Sequence, residues 1–223
     1  MIALVVGATG LVGRELVKEL ASDTRFERIV TFGRRAGSIR SPKLTEQIVD
    51  LAKPETFADR VRGDIAFSCL GTTRRTAGSV AAQRVVDVRF PLDFARIAVA
   101  NGVETFALVS FGGADARARS EYSRMKGELD EGVSALGFMR LRILRPSLLE
   151  GRRDRSRLAE SAGIWVGNAL ASIGIARRVR PIPASTVARA LVASAFDGPE
   201  VRRIYTLDEI FPLAAVSQKE AHE

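Results

Sequence analysis

Apolar positions in this chain alternate between short solid runs and longer stretches where they recur every three or four residues. Residues 2–6 are a solid run, the pattern of a strand buried on both faces. Residues 10–20 then carry Leu11, Leu16, Val17 and Leu20 at helical spacing. The same reading predicts strands over 28–32, 45–51, 64–70, 105–110 and 138–144, with helices over 79–100 and 121–136. Strands joined by helices of this length need right-handed crossovers, so the fold class expected is α/β, a Rossmann-type doubly wound and mostly parallel sheet.

After Pro146 the rhythm loosens. Residues 158–175 form an apolar helix candidate interrupted by Gly163, Gly167 and Gly174. A helix over 185–196 follows, with Ser185 as its expected N-cap. A late strand is expected over 203–207, and the last residues through Glu223 are expected to fray. The organisation read from this is one domain over 1–223, in which 146–223 supplies a reduced substrate-side lid.

The chain has 223 residues, 46% hydrophobic and 27% charged, enough apolar content for one substantial core. One cysteine, Cys69, and one histidine, His222, leave no internal disulfide and no Cys/His metal cluster, so no metal is expected. The first residues read as a strand rather than a signal peptide, and no apolar run reaches membrane-spanning length. A cytoplasmic setting is the expectation. The net charge of +8 raises nucleic-acid binding. The arginines are scattered, however, and few aromatics interleave with them, so no specific nucleic-acid partner is expected.

Gly7, Gly10 and Gly13 follow the first strand at GxxGxxG spacing. Such glycines let a backbone turn tightly and approach a pyrophosphate, whose charge faces helix N–H groups. Gly7, Thr9, Gly10, Leu11, Val12 and Gly13 are therefore candidate dinucleotide-binding residues. The second strand ends without the Asp or Glu that binds ribose hydroxyls in NAD-preferring sites. Arg34 and Arg35 stand there instead, and guanidinium forks match a phosphate, which favours NADP(H). Asp50 and Leu51, ending the third strand, suit the adenine edge; a turn cap explains Asp50 equally well. Leu70, Gly71 and Thr72 leave the fourth strand at the same crevice, where Gly71 permits close backbone passage.

Ser110 ends the fifth strand, and Tyr122 and Lys126 follow four residues apart on one helix face. A phenol with a pKa of about 10 is a poor base at neutral pH. An adjacent ammonium and the cofactor's positive nicotinamide are both expected to favour the phenolate and bring it toward useful range. Ser110 would then hydrogen-bond the substrate oxygen. Cys69 reads as a buried filler without an activating base, and Asp87 as either an orienting group or a solvated one.

These residues, with the string Cys69 to Arg74, the run Tyr122 to Glu128 and the later Leu144, Arg145 and Pro146, resemble atypical short-chain dehydrogenases/reductases. The similarity is greatest to the branch of the human Tat-interacting protein TIP-thirty and its bacterial relatives. It covers most of the chain, weakening after about Arg153. The resemblance implies an NADP(H)-binding Rossmann fold with Ser110, Tyr122 and Lys126 as the catalytic set. It also implies that Tyr122 and Lys126 hold the nicotinamide ribose, and that Pro146, Ser147 and Leu148 flank the nicotinamide end. Phe111 departs from the family pattern, where a polar residue follows the serine.

The leading reading is an NADP-dependent oxidoreductase moving a hydride to or from a small or apolar carbonyl or alcohol. The alternative is a catalytically weak NADPH-binding regulatory or scaffold protein; a sugar epimerase or dehydratase is a third. Residues 158–175 suit a pocket lid or a homodimer contact, or else weak peripheral membrane contact.

Overall fold

The computed structural model describes residues 1–150 and 180–220, with side chains through 215. Strand β1 (Ile2–Val6) is central. Helix α1 (Leu11–Ser22) carries the chain to β2 (Arg28–Gly33), and β3 (Leu44–Ile48) adds outside it. Strand β4 (Ile65–Ser68) returns to the other side of β1. Helix α2 (Arg74–Ala77) precedes a helical run made of α3 (Val80–Arg84), a π-helical turn (Val85–Arg89) and α4 (Phe90–Ala100). Then come β5 (Thr105–Val109), α5 (Glu121–Ser134), β6 (Arg140–Leu144), the short β7 (Leu149–Glu150) and β8 (Ile182–Pro183), α6 (Ala184–Ser194), β9 (Arg202–Tyr205) and α7 (Leu207–Glu220).

Seven strands form one sheet in the order β3-β2-β1-β4-β5-β6-β9, and every neighbouring pair is parallel. This is the Rossmann-type architecture expected. Strand β1 pairs with β2 on one side and β4 on the other, so the order reverses there. Such a switch point opens a crevice at the strands' carboxyl ends, where ligands bind in sheets of this kind.

Each face of the sheet carries its own core. On one face Leu16 and Leu20 of α1 pack with Val187 and Leu191 of α6 and Ile210 of α7, all fully buried. Each such side chain contributes about 1.5–3 kcal/mol through burial. On the other, Phe94 and Ala98 of α4 meet Leu129 and Val133 of α5 over Phe106 and Ile143 of the sheet. Three elements depart from the sequence reading. Ser185 lies within the first turn of α6, whose N-cap is Pro183. Helix α7 replaces the frayed end through residue 220, and β3 stops at Ile48 instead of reaching residue 51. The helix candidate at 158–175 lies outside the described residues.

Arg142 is fully buried in the middle of β6. Its guanidinium donates to five backbone carbonyls: Leu141, Ser194, Asp197, Gly198 and Glu200, at 2.7–3.2 Å. It thereby gathers the orphan carbonyls at the end of α6 and the connection to β9.

Candidate active site

The turn between β1 and α1 has no room for side chains at its glycines. Gly7 has φ +85°, and a Cβ there would lie 2.6 Å from the Cys69 carbonyl carbon. A Cβ on Gly13 would lie 2.1 Å from the Gly7 carbonyl oxygen. Backbone and backbone thus meet at the exit of β1 and β4. Helix α1 starts at Gly10 without a side-chain cap or an acidic residue in its first turn. That leaves positive helix N–H groups facing the crevice, a cradle suited to a pyrophosphate. Thr9 and Leu11 are part-buried in it, whereas the Val12 side chain enters the core, so only its backbone faces the turn.

Arg34 and Arg35 follow β2 directly and are exposed. Arg14 lines a small cleft beside them with Ala8, Thr31 and Gly37 to Ile39. The signal for Arg14 was its position just after Gly13. Asp50 is exposed and its Oδ1 accepts from the Ala52 N–H at 3.0 Å, capping its turn, while the Leu51 side chain is buried in the second core. Leu70 packs against that core too. Gly71 is exposed, with its Cα direction toward Asp87 and Lys126.

The centre of the site is a buried ion pair. Lys126 Nζ stands 3.0 Å from Asp87 Oδ1, with both side chains almost wholly enclosed. The other oxygen of Asp87 accepts from the Thr72 N–H at 2.9 Å, and Gln83 donates to the Thr72 carbonyl at 3.2 Å. The strand exit that carries Gly71 and Thr72 is therefore tied to the same carboxylate as the lysine. Asp87 reaches this place from the π-helical turn, whose extra residue re-aims the side chains of an otherwise α-helical run.

Lys126 also lies beside Tyr122, its Nζ 5.9 Å from the ring centroid. Burial pulls the lysine down, but the charges of Tyr122 and Asp87 outweigh it and hold the ammonium above its ordinary range. In the chain alone the Tyr122 phenol is held above its ordinary range. Burial of the phenol is the largest cause, Lys126 opposes it, and the Asp87 carboxylate adds to it.

Ser110 follows β5 and is buried, its N–H donating to the Leu144 carbonyl at 2.7 Å. Its hydroxyl neighbours Asp130 of α5 and favours that carboxylate, yet Ser110 Oγ and Asp130 Oδ1 make no well-formed hydrogen bond. Asp130 Oδ2 is held by Arg145 Nε at 2.9 Å. Burial still leaves Asp130 above the usual carboxylate range, against Ser110, Arg145 and Lys126. Phe111 stacks obliquely on Tyr122 with centroids 5.1 Å apart. Gly127 admits the loop over α5: a Cβ there would lie 2.0 Å from the Ala116 nitrogen. Asp130 and Gly127 were not singled out in the sequence, although both sit within four residues of Lys126.

Pro146 is buried, and its carbonyl accepts from the Gly112 N–H at 2.8 Å. The Ser147 hydroxyl donates to the Arg180 carbonyl, and the Leu148 carbonyl accepts from Ile182 at 2.9 Å. This margin brings the ends of 146–150 and 180–183 together beside Ser110. Cys69 is half-buried, and burial pushes its thiol up to about 12. Among the described residues no helix is long and apolar enough to cross a membrane.

No family model matches the chain. It is 35% identical over 175 residues to the protein fmp52, mitochondrial, of Emericella nidulans, covering 75% of each chain. To the protein HTATIP2 of Rattus norvegicus it is 36% identical over 160 residues, 70% of this chain and 66% of that one. Among solved structures, a short-chain dehydrogenase/reductase superfamily protein from Agrobacterium tumefaciens with bound NAD superposes with TM-score 0.70 at 18% identity. That match covers 100% of this chain and 82% of the other. DesIV, a dTDP-glucose 4,6-dehydratase from Streptomyces venezuelae with NAD bound, gives 0.72 at 16% identity, covering 100% and 81%. These likenesses show the fold of nicotinamide-dinucleotide proteins. The cytoplasmic setting expected from the sequence is overturned by the names of the FMP52 relatives, which are called mitochondrial. The chain belongs to the atypical short-chain dehydrogenase/reductase branch that holds the FMP52 proteins and HTATIP2.

Proposed function

We propose that the protein is an NADP(H)-dependent oxidoreductase acting on a small or apolar carbonyl or alcohol. The observation that carries this reading is the enclosed Lys126 ammonium beside Tyr122, at the strand end next to the glycine cradle. The turn of Gly7, Gly10 and Gly13 fits a pyrophosphate because side chains at Gly7 and Gly13 would strike the backbone of Cys69 and Gly7 and force it open. Arg34 and Arg35, with no acid at the end of β2, fit an adenosine phosphate better than free ribose hydroxyls. Asp50 and Leu51 would border the adenine, and Leu70, Gly71 and Thr72 would run along the cofactor. Tyr122 and Lys126 would hold the nicotinamide ribose, with Pro146 and Leu148 flanking the ring.

A bound nicotinamide supplies or accepts the hydride. The protein's own groups handle the oxygen. Ser110 Oγ, buried without a well-formed hydrogen bond, would turn from Asp130 to the substrate oxygen. Tyr122 exchanges the proton, and Lys126 fixes the phenol's electrostatics. Residues 1–223 would act as one nucleotide-binding domain, with 146–223 on the substrate side and 158–175 as lid or homodimer contact.

NADPH absorbance followed across a panel of aldehydes and ketones tests this, with Tyr122→Phe as control. Turnover lost by about 10²-fold or more in the variant is expected; equal turnover would assign the chemistry elsewhere. The Phe111 ring on Tyr122 favours a second reading, an NADPH-binding protein without turnover. No turnover on the panel, with tight NADPH binding, would select it.

A further inference from the structure

We propose that Gln83 is a positioning residue for the nicotinamide end of the dinucleotide: together with Asp87 it locks the backbone of Thr72, and through Asp87 that lock fixes where the Lys126 ammonium stands. The inference rests on the function proposed above and adds a residue to its binding machinery.

Gln83 is a polar side chain in an enclosed place, 6% exposed. A buried amide is costly unless it is hydrogen-bonded, and Gln83 Nε2 donates to the Thr72 carbonyl at 3.2 Å. Four residues on, along the same face of the helical run, the fully buried Asp87 accepts from the Thr72 N–H at 2.9 Å through Oδ2. The N–H belongs to the peptide plane before the Thr72 Cα, and the carbonyl to the plane after it. Gripping both planes sets the two soft dihedrals of Thr72, and with them the direction of its Cβ. Asp87 alone would hold only the first plane and leave the second free to turn.

The same contacts run on to the lysine. Asp87 Oδ1 lies 3.0 Å from Lys126 Nζ. Gly71 passes directly beside that pair: a Cβ there would lie 3.5 Å from Asp87 Oδ1 and 3.9 Å from Lys126 Nζ. The strand exit can therefore move against the ion pair only if Thr72 moves. Without the Gln83 donor, the plane after Thr72 turns, the Thr72 N–H loses its alignment on Asp87, and Lys126 follows the carboxylate. In the function proposed above Lys126 serves the nicotinamide ribose, while Arg34 and Arg35 serve the adenosine phosphate. Loss of Gln83 is thus felt at one end of the cofactor and spared at the other.

Gln83→Met tests the inference, since the thioether keeps the length of the side chain and removes the donor. Calorimetric titration of the full chain compares NADPH, which reaches both ends of the site, with adenosine 2′,5′-bisphosphate, which reaches only the adenosine end. The variant is expected to bind NADPH about tenfold more weakly and the bisphosphate within about twofold of wild type. Equal weakening of both ligands would mean that Gln83 merely supports the fold, and it overturns the inference; so does an unchanged affinity for NADPH. Gln83→Leu gives the same comparison where the methionine variant fails to fold.

The second readout needs no cofactor. Hydrogen exchange followed by NMR is expected to show the wild-type Thr72 amide protected about a hundredfold or more over an unfolded chain, and about tenfold less protected in Gln83→Met. A wild-type Thr72 amide that exchanges freely, or one equally protected in the variant, overturns the lock. If the wild type binds no NADPH, the function proposed above fails and amide exchange alone decides the lock at Thr72.

Discussion

Lys126 and Tyr122 make the fold sensitive to alkali rather than to neutral pH. The folded lysine titrates above its ordinary value, so its stabilising contribution is complete below the unfolded value of about 10.5 and is lost as pH rises through the folded one. Tyr122 also titrates high in the fold, so the unfolded chain releases that proton first and stability falls above about pH 10. Urea midpoints should therefore stay level with respect to this pair between pH 6 and 9 and drop beyond 10. Tyr122→Phe should flatten the alkaline drop, since it removes the phenol and the first-listed partner that raises Lys126, and an unchanged drop would put its cause outside the site. Tyr122, Lys126 and Ser110 stood out as candidates in the sequence because each follows a strand at a set spacing. For Asp87 the sequence left an orienting and a solvated role open, since it stands 39 positions from Lys126 and pairs with it only through the π-helical turn.

At the scale of elements, Gly127 shows how a helix and a loop share one surface. A methyl at this position would collide with the Ala116 nitrogen 2.0 Å away, and the loop from Ser110 carries Phe111 against Tyr122. Gly127→Ala should lift that loop and lower turnover at least about tenfold, while NADPH binding stays near wild type because the cradle lies on β1 and α1. Equal losses in both would mean that the helix itself had shifted. The buried Arg142 is the other element-scale joint. Arg142→Met would strip the end of α6 and the connection to β9 of four hydrogen bonds, costing about 3 kcal/mol or more in urea unfolding. A loss below 1 kcal/mol would show that water replaces the guanidinium. Neither joint was readable beforehand. An arginine in a strand reads as a surface residue until the carbonyls it gathers are brought in from over fifty positions away. The strands β1, β2, β4, β5 and β6 were readable because burial on both faces leaves nearly continuous apolar runs. Helix α7 was hidden by Pro212 and its polar end, and Ser185 looked like a cap because the chain's true entry, Pro183, offers no side-chain acceptor.

For the whole molecule, the parallel sheet sets the carboxyl ends of β1, β4, β5 and β6 side by side. The reversal at β1 leaves the glycine turn, the Thr72 loop, Ser110 and the Pro146 margin at neighbouring strand ends. A dinucleotide bound there joins segments far apart in sequence and should stabilise the fold by mass action, about 2.7 kcal/mol at a hundredfold excess over Kd. The most direct test is calorimetric titration of the full chain with NADPH and NADH, in wild type and in the double variant Arg34→Ala and Arg35→Ala. The account predicts binding of both, tighter for NADPH by about tenfold or more, with the difference abolished in the variant. No heat with either nucleotide, or an NADPH preference that survives loss of both arginines, would contradict it.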